Sequence, residues 1–221
     1  AQTHTVWVEA LADARTFIDY PPRRGVVRAP WQALGRALSE LHHAEACDAE
    51  STTRASRLER AEAQVALLER VACPAAGAAR SIDELAGQEA NRLPEPGDVL
   101  LHGRLHIETL GRLADRVLMQ DVLEITRGEP EHDFATLLVS LESLGIGRAA
   151  VSRALEQVTD RYVGSGGRRV DRAMLAWHYR LQLIEQGWQD YRRNGALSFG
   201  RITSLVRRAQ RSGPLEATWS F

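Results

Sequence analysis

The segment Val99-Leu100-Leu101-His102-Gly103-Arg104-Leu105-His106-Ile107-Glu108-Thr109 decides how this chain is interpreted. It opens with an apolar run, continues with histidine, glycine and arginine, and is followed by a second apolar run at Val117–Met119. Short apolar runs around a polar, glycine-containing segment predict small strands that flank a loop. Because histidine and carboxylate side chains supply most acid–base chemistry, we predict that this loop is the functional centre.

On both sides of the loop the apolar residues recur at helical spacing. Trp31, Leu34 and Leu38 are typical of an amphipathic helix, and Ser81 followed by Glu84 has the spacing of a helix-start capping box. We therefore predict a mainly α fold with a small central β element and a short strand near residues 5–11. The predicted helices span about 31–46, 49–71, 81–92, 134–144, 147–162, 169–193 and 199–210.

Composition excludes several classes of protein. With 221 residues, 44% of them hydrophobic and 26% charged, the chain can bury a substantial core. No apolar run reaches the length of a membrane span and the N-terminus does not resemble a signal peptide, so we expect a cytoplasmic protein. The net charge is −1 and the basic residues are spread along the chain, which argues against nucleic acid as a partner. Cys47 and Cys73 are predicted to be reduced thiols.

The basic residues are all of one type. The sequence contains no lysine, so each of its 28 basic residues is an arginine. Arginine stays protonated in proteins and therefore cannot act as a proton acceptor or form a Schiff base.

Three segments occur together in the order of a known set of motifs. They are Leu101–Thr109, Leu118–Val122 and Arg127–Ala135. The first resembles the catalytic loop L-H-G-D-L-H-x-x-N of the aminoglycoside phosphotransferase and choline kinase family. The second resembles the metal-binding I-D-W or I-D-F element of that family, and the third resembles its G-D-P-x-x-D-L-A continuation.

The resemblance implies the C-terminal lobe of the protein-kinase-like phosphotransferase fold, over residues 1–221. In this interpretation residues 1–12 are a hinge-like strand, 31–92 are helices, 99–133 are degenerate catalytic and metal loops, and 134–212 are the C-terminal helices. The N-terminal lobe, with its glycine-rich loop and its nucleotide-binding lysine, has no counterpart in the sequence.

The catalytic positions depart from the motif. Where the family has the loop aspartate that serves the attacking hydroxyl, this sequence has Arg104, and where it has the metal-binding asparagine, this sequence has Thr109. Asp121 matches the principal metal-binding aspartate, so one weak metal ligand is retained. By the resemblance Arg104 lies near Asp121, and we expect the two to form an ion pair in the space of the metal.

The remaining polar residues of the motif have a structural interpretation. The resemblance implies that His102, His106 and Asp133 brace the loop rather than react. A metal site built from the two histidines with Glu108 and Asp121 is an alternative that the spacing alone leaves open. Aromatic residues on the C-terminal helices are expected to pack in the core: Trp177, Tyr179, Trp188 and Tyr191.

Two functions follow from these observations. The first is a pseudokinase that binds a partner protein, a peptide or a small molecule, associating with itself or with another chain through a surface that includes Val6, Trp7 and Val8. The alternative is a fragment or split half of an ATP-dependent phosphotransferase that acts on a small-molecule hydroxyl or on peptide Ser or Thr in natural-product biosynthesis. We expect no cofactor for the isolated chain in the first case and Mg–ATP in the second.

Overall fold

A computed structural model describes residues 15–16, 28–45, 49–113, 116–120, 125–145 and 147–211. Its helices are Arg28–His43 (α1), Arg54–Arg70 (α2), Ala76–Ala90 (α3), Glu131–Ser143 (α4), Arg148–Gly164 (α5), Arg172–Asn194 (α6) and Phe199–Arg211 (α7). The predicted fold class, mainly α with a small β element, is confirmed. Four predicted features lie outside the described residues: the strand at 5–11, the predicted interface of Val6, Trp7 and Val8, Cys47, and Asp121.

The strands form two small sheets. Strands β1 (Arg15–Thr16), β4 (Leu110–Leu113) and β5 (Arg116–Met119) are antiparallel neighbours in the order β1-β4-β5. In the second sheet, β6 (Thr126–Gly128) lies between β2 (Glu50–Ser51), which is parallel to it, and β3 (Val99–Leu101), which is antiparallel. The segment that follows β3 therefore connects the second sheet, through β3, to the first sheet, through β4.

Helix α4 lies at the centre of the molecule. Eleven of its residues, from Glu131 to Leu141, are buried, whereas a surface helix buries only one face. Helix α1 packs through Trp31, Leu34 and Leu38, which are all fully buried at the spacing that predicted them. None of the helices in the described ranges is long and apolar enough to cross a membrane.

Two helix starts differ from the sequence prediction by five residues, more than the starts of the other helices. Helix α2 was predicted from residue 49 but begins at Arg54, because residues 50–51 pair with β6 and the Thr53 side chain caps the helix by accepting a hydrogen bond from the Ser56 N–H. Helix α3 was predicted from Ser81 but begins at Ala76. The Ser81 hydroxyl instead donates to the Gly77 carbonyl inside the helix, which is a common alternative for serine.

Helices α1 and α5 approach each other closely at Gly35. Gly35 of α1 faces the α5 backbone so closely that an added Cβ would clash with the Val158 carbonyl oxygen and lie 3.0 Å from both the Arg161 Cβ and the Tyr162 nitrogen. A helical glycine is unfavourable in isolation, so the close approach of the two backbones accounts for its presence here.

We predict that Gly35→Ala lowers the free energy of unfolding by about 2 kcal/mol or more, because the backbone of α5 cannot yield to the new methyl group. Gly87→Ala in α3 is the matched control, since no atom lies within 4 Å of an added Cβ there. That change should raise stability by up to about 1 kcal/mol through helix propensity. Urea unfolding of the two variants measures both effects, and equal stabilities would contradict the packing described.

Candidate functional site

The predicted loop is attached to the first turn of α4 through a buried carboxylate. The Asp133 side chain accepts the backbone N–H of His102 at 2.8 Å on Oδ2 and that of Gly103 at 3.0 Å on Oδ1. Gly103 has a positive φ of 79°, a backbone conformation that glycine adopts without strain. The two peptide groups at the start of the loop are therefore fixed by one side chain.

The same carboxylate is held from the other side by α1. His42 Nε2 lies 3.3 Å from Asp133 Oδ2, and His42 Nδ1 lies 2.9 Å from the hydroxyl of Tyr162. Burial alone would raise the pKa of Asp133, but the hydrogen bond from His42, the electrostatic influence of the neighbouring His42 and His132 rings and the hydrogen bond from the His102 N–H outweigh it, so the pKa lies below its usual value. Asp133 is therefore an ionised group inside the core, which supports the predicted bracing role.

A second connection fixes the loop carbonyl. His132 Nε2 donates to the Gly103 carbonyl at 3.0 Å, and Arg57 of α2 donates to His132 Nδ1 at 2.5 Å. These two bonds require a neutral imidazole, in agreement with a pKa of His132 that burial and then the Arg57 charge hold well below its usual value. Desolvation lowers the pKa of Arg57 to about 10, which leaves it charged at neutral pH.

The rest of the loop is tied to the strands that follow. His102 Nε2 donates to the Gln120 carbonyl at 3.0 Å, and the Gln120 N–H donates to the Thr109 carbonyl at 2.8 Å. The Thr109 hydroxyl donates to the His106 carbonyl at 2.8 Å. Because Asp121 is outside the described residues, its metal-binding role and its ion pair with Arg104 stay predictions.

The buried ion pairs next to Asp133 were missed by the sequence analysis. Glu129 accepts from Arg54 and from His178, both at 2.6 Å, and Glu131 accepts from Arg168 at 2.7 Å. One feature of the sequence could have revealed these buried ion pairs. The run 129–133 places four ionisable side chains at the start of a helix that is otherwise apolar, and buried charges need partners.

A polar pocket of about 250 Å³ lies beside the loop. The loop from Gly103 to Glu108 forms one wall, polar side chains of α4 form a second, and the C-terminal half of α6 forms a third. Arg104 lines this pocket with an exposed side chain that also interacts with another part of the chain. His106 lies in the loop wall. The structure thus brings Arg104 and His106 to one cavity, whereas His102 and Asp133 are buried behind it.

Two described positions do not fit a magnesium–nucleotide site. Arg104 presents a cation where the motif has a carboxylate, and the Thr109 hydroxyl is donated to a backbone carbonyl instead of being turned outward. Within the described ranges no group of three or more His, Cys, Asp or Glu side chains is placed to hold a metal ion.

Solved structures of kinase-like phosphotransferases share this fold. The chain matches the choline kinase of Streptococcus pneumoniae with a TM-score of 0.63 at 17% identity, covering 92% of this chain and 68% of that one. It matches a choline/ethanolamine kinase family protein of Mesorhizobium loti with a TM-score of 0.68 at 16% identity, covering 94% and 68%. A glucosamine kinase matches with a TM-score of 0.66 at 15% identity, covering 91% and 59%.

These matches confirm the predicted kinase-like phosphotransferase fold. No protein-family model matches the sequence, and no curated protein matches it. Among the structural neighbours, the chain spans between 56% and 69% of the other protein. The likeness therefore concerns the fold over part of those chains.

We predict that Asp133→Asn lowers the free energy of unfolding by about 3 kcal/mol, because the new amide group turns a donor toward a backbone N–H that loses its acceptor. The pKa of Asp133 is lowered in the folded state, so its contribution to stability is present above the unfolded value of 3.8 and is lost as the pH falls through the lower folded value. The difference between wild type and variant should therefore narrow below about pH 4.

Asp98→Asn is the control, since Asp98 forms an exposed ion pair with Arg127 at 3.1 Å. Its effect should stay within about 0.5 kcal/mol. Guanidinium unfolding between pH 3 and pH 7 measures both variants. An Asp133→Asn protein as stable as the control would show that the carboxylate does not hold the loop.

Proposed function

We propose that this chain is a degenerate, non-catalytic relative of the phosphotransferases whose fold it shares, and that it binds a small polar molecule in the pocket beside the loop. The observation that carries the proposal is Arg104, which lies at that pocket in the motif position of the catalytic aspartate. This is a pseudokinase function, in which the site recognises a ligand and does not transfer phosphate to it.

Phosphoryl transfer requires a group that accepts or orients the attacking hydroxyl, together with metal ions that neutralise the phosphate charge. Arginine stays protonated and has no acceptor atom, so Arg104 can meet neither requirement. The loop wall of the pocket also carries His106 and Glu108, and neither occupies the motif position of the catalytic aspartate. Burial and then the charge of Arg104 lower the pKa of His106.

The bracing of the loop supports a binding function. Its first two N–H groups and one carbonyl are engaged by side chains of α4, and the His102 Nε2 is engaged by the carbonyl of Gln120, which follows β5. A pocket whose wall is fixed before the ligand arrives loses little conformational entropy on binding. At about 250 Å³ it lies below the roughly 300–1,000 Å³ typical of drug-sized ligands, so it suits a smaller molecule.

Association with a partner chain is the other part of the pseudokinase interpretation. The surface predicted for it, at Val6, Trp7 and Val8, lies outside the described residues, so this partner role rests on the sequence alone. Light scattering of the purified protein tests it, because a monomer at high concentration would contradict self-association.

We predict that Mg–ATP binds with a dissociation constant no tighter than about 1 mM, and that no phosphate is transferred to choline or glucosamine. Arg104→Asp should not create activity, because the sequence contains no lysine to hold the nucleotide phosphates. Isothermal titration calorimetry and phosphorus NMR of the reaction mixtures make the two measurements. Transfer by the wild-type protein would instead establish the alternative of a working phosphotransferase fragment.

A further inference from the structure

The small polar molecule of the proposed function can be assigned a chemical class. We propose that the pocket beside the loop binds a free amino acid with an uncharged polar side chain, whose ammonium and carboxylate groups lie between Arg60 and Glu185. This inference rests on the proposed function of ligand binding at the same site and names the class of its ligand. The names of the structural neighbours state choline and glucosamine, and neither molecule carries both charges.

The pocket adjoins a smaller cavity between α2 and α6. The small cavity has a volume of about 20 Å³, and its walls include Ala61 and Gln64 of α2 and Leu181 of α6. Four residues line both spaces, namely Arg60, His132, Gln182 and Glu185. A cavity of this size holds one water-sized group. A ligand in the pocket can therefore extend one small polar group, such as an ammonium, toward the small cavity.

Two opposite charges lie where the pocket and the small cavity meet. Arg60 belongs to α2 and Glu185 to α6, and both line the two spaces. Within the described residues neither forms an ion pair, and the one side-chain hydrogen bond of Glu185 is a long one of 3.5 Å from Gln182. The two charges sum to zero, so together they favour neither a cation nor an anion. A zwitterion fits them, because the ammonium of an amino acid can face Glu185 while its carboxylate faces Arg60.

The small cavity is also lined by side chains with unpartnered polar atoms. Gln64 is only 8% exposed, yet its side chain makes no hydrogen bond within the described part of the chain. The Nη2 atom of Arg57, another lining residue, is likewise buried without a hydrogen bond to any described residue. Because the large majority of buried polar side-chain atoms are hydrogen-bonded, these atoms point to a ligand. An amide offers an acceptor to an ammonium and donors to a carboxylate.

The rest of the pocket suits an uncharged polar side chain. Gln189 and Asn194 make no side-chain hydrogen bond within the described ranges, and each offers donors and an acceptor. Where the loop meets the end of α6, Glu108 and Arg193 carry opposite charges, so neither sign of charge on the ligand side chain is favoured. Among the described lining residues there is no tryptophan, tyrosine or phenylalanine to form the aromatic cage that binds a quaternary ammonium.

Amino acids, and analogues that lack one of the two charges, test the proposal directly. Serine, threonine, asparagine and glutamine are titrated into the wild-type protein by calorimetry, with leucine as the apolar control. The best of the four is then compared with its decarboxylated and its deaminated analogue, which for glutamine are 4-aminobutanamide and glutaramate. We expect it to bind about tenfold more tightly than leucine and than either analogue. An analogue that binds as tightly as the amino acid, or no binding of any of the four at about 10 mM, overturns the proposal.

Matched variants locate the two charges. Arg60→Gln and Glu185→Gln should each weaken binding of the best amino acid about tenfold. Arg70→Gln and Glu59→Gln are the controls and should leave its affinity unchanged, since both are exposed residues of α2 that line neither space. Arg60→Gln should also abolish the discrimination against the decarboxylated analogue, and Glu185→Gln that against the deaminated one. Equal effects of the site variants and the control variants would contradict the assignment.

Amino acid binding is measured without nucleotide, so its outcome is independent of phosphate transfer. If no amino acid binds and no phosphate is transferred, the proposed ligand class is wrong and the proposed function stands. If phosphate transfer is detected, the proposed non-catalytic function fails, whether or not an amino acid binds.

Discussion

The fold around the loop depends on one buried charge. Asp133 lies fully inside the core at the start of α4, and its two oxygens take up the N–H groups of His102 and Gly103 and the ring of His42. An ionised carboxylate in an apolar interior is stable only with such a full set of partners. The position at a helix N-terminus adds favourable electrostatics, since the helix dipole is positive there. Helices α1 and α4 and the loop after β3 are thus joined at one point.

Some parts of this arrangement can be predicted from the sequence and others cannot. The order and spacing of three short segments predicted the fold, because His102, Gly103 and Asp133 must occur at set positions for the loop to close. The periodic apolar residues predicted α1 and α6. The predicted starts of α2 and α3 were wrong. At α2, residues 50–51 pair with β6 and Thr53 caps the helix, and the spacing of apolar residues predicts neither interaction. The connection from Arg57 through His132 was missed because it joins residues 75 positions apart.

Structural and chemical parts of the motif have separated in this chain. The residues that hold the loop are present and engaged, whereas Arg104 and Thr109 replace side chains with which the motif would act on a substrate or a metal. We propose that such a braced loop beside a polar cavity serves recognition rather than catalysis.

Amide hydrogen exchange at His102 and Gly103 tests the central claim most directly. If the buried carboxylate holds the loop, these two amides exchange only through global unfolding, with a free energy equal to that from denaturant titration. Their protection should be the same with and without Mg–ATP, because the loop is closed before any nucleotide arrives. Rapid exchange in the free protein, or protection that appears only with Mg–ATP, would show a loop that opens and reorganises for catalysis, and would contradict the account.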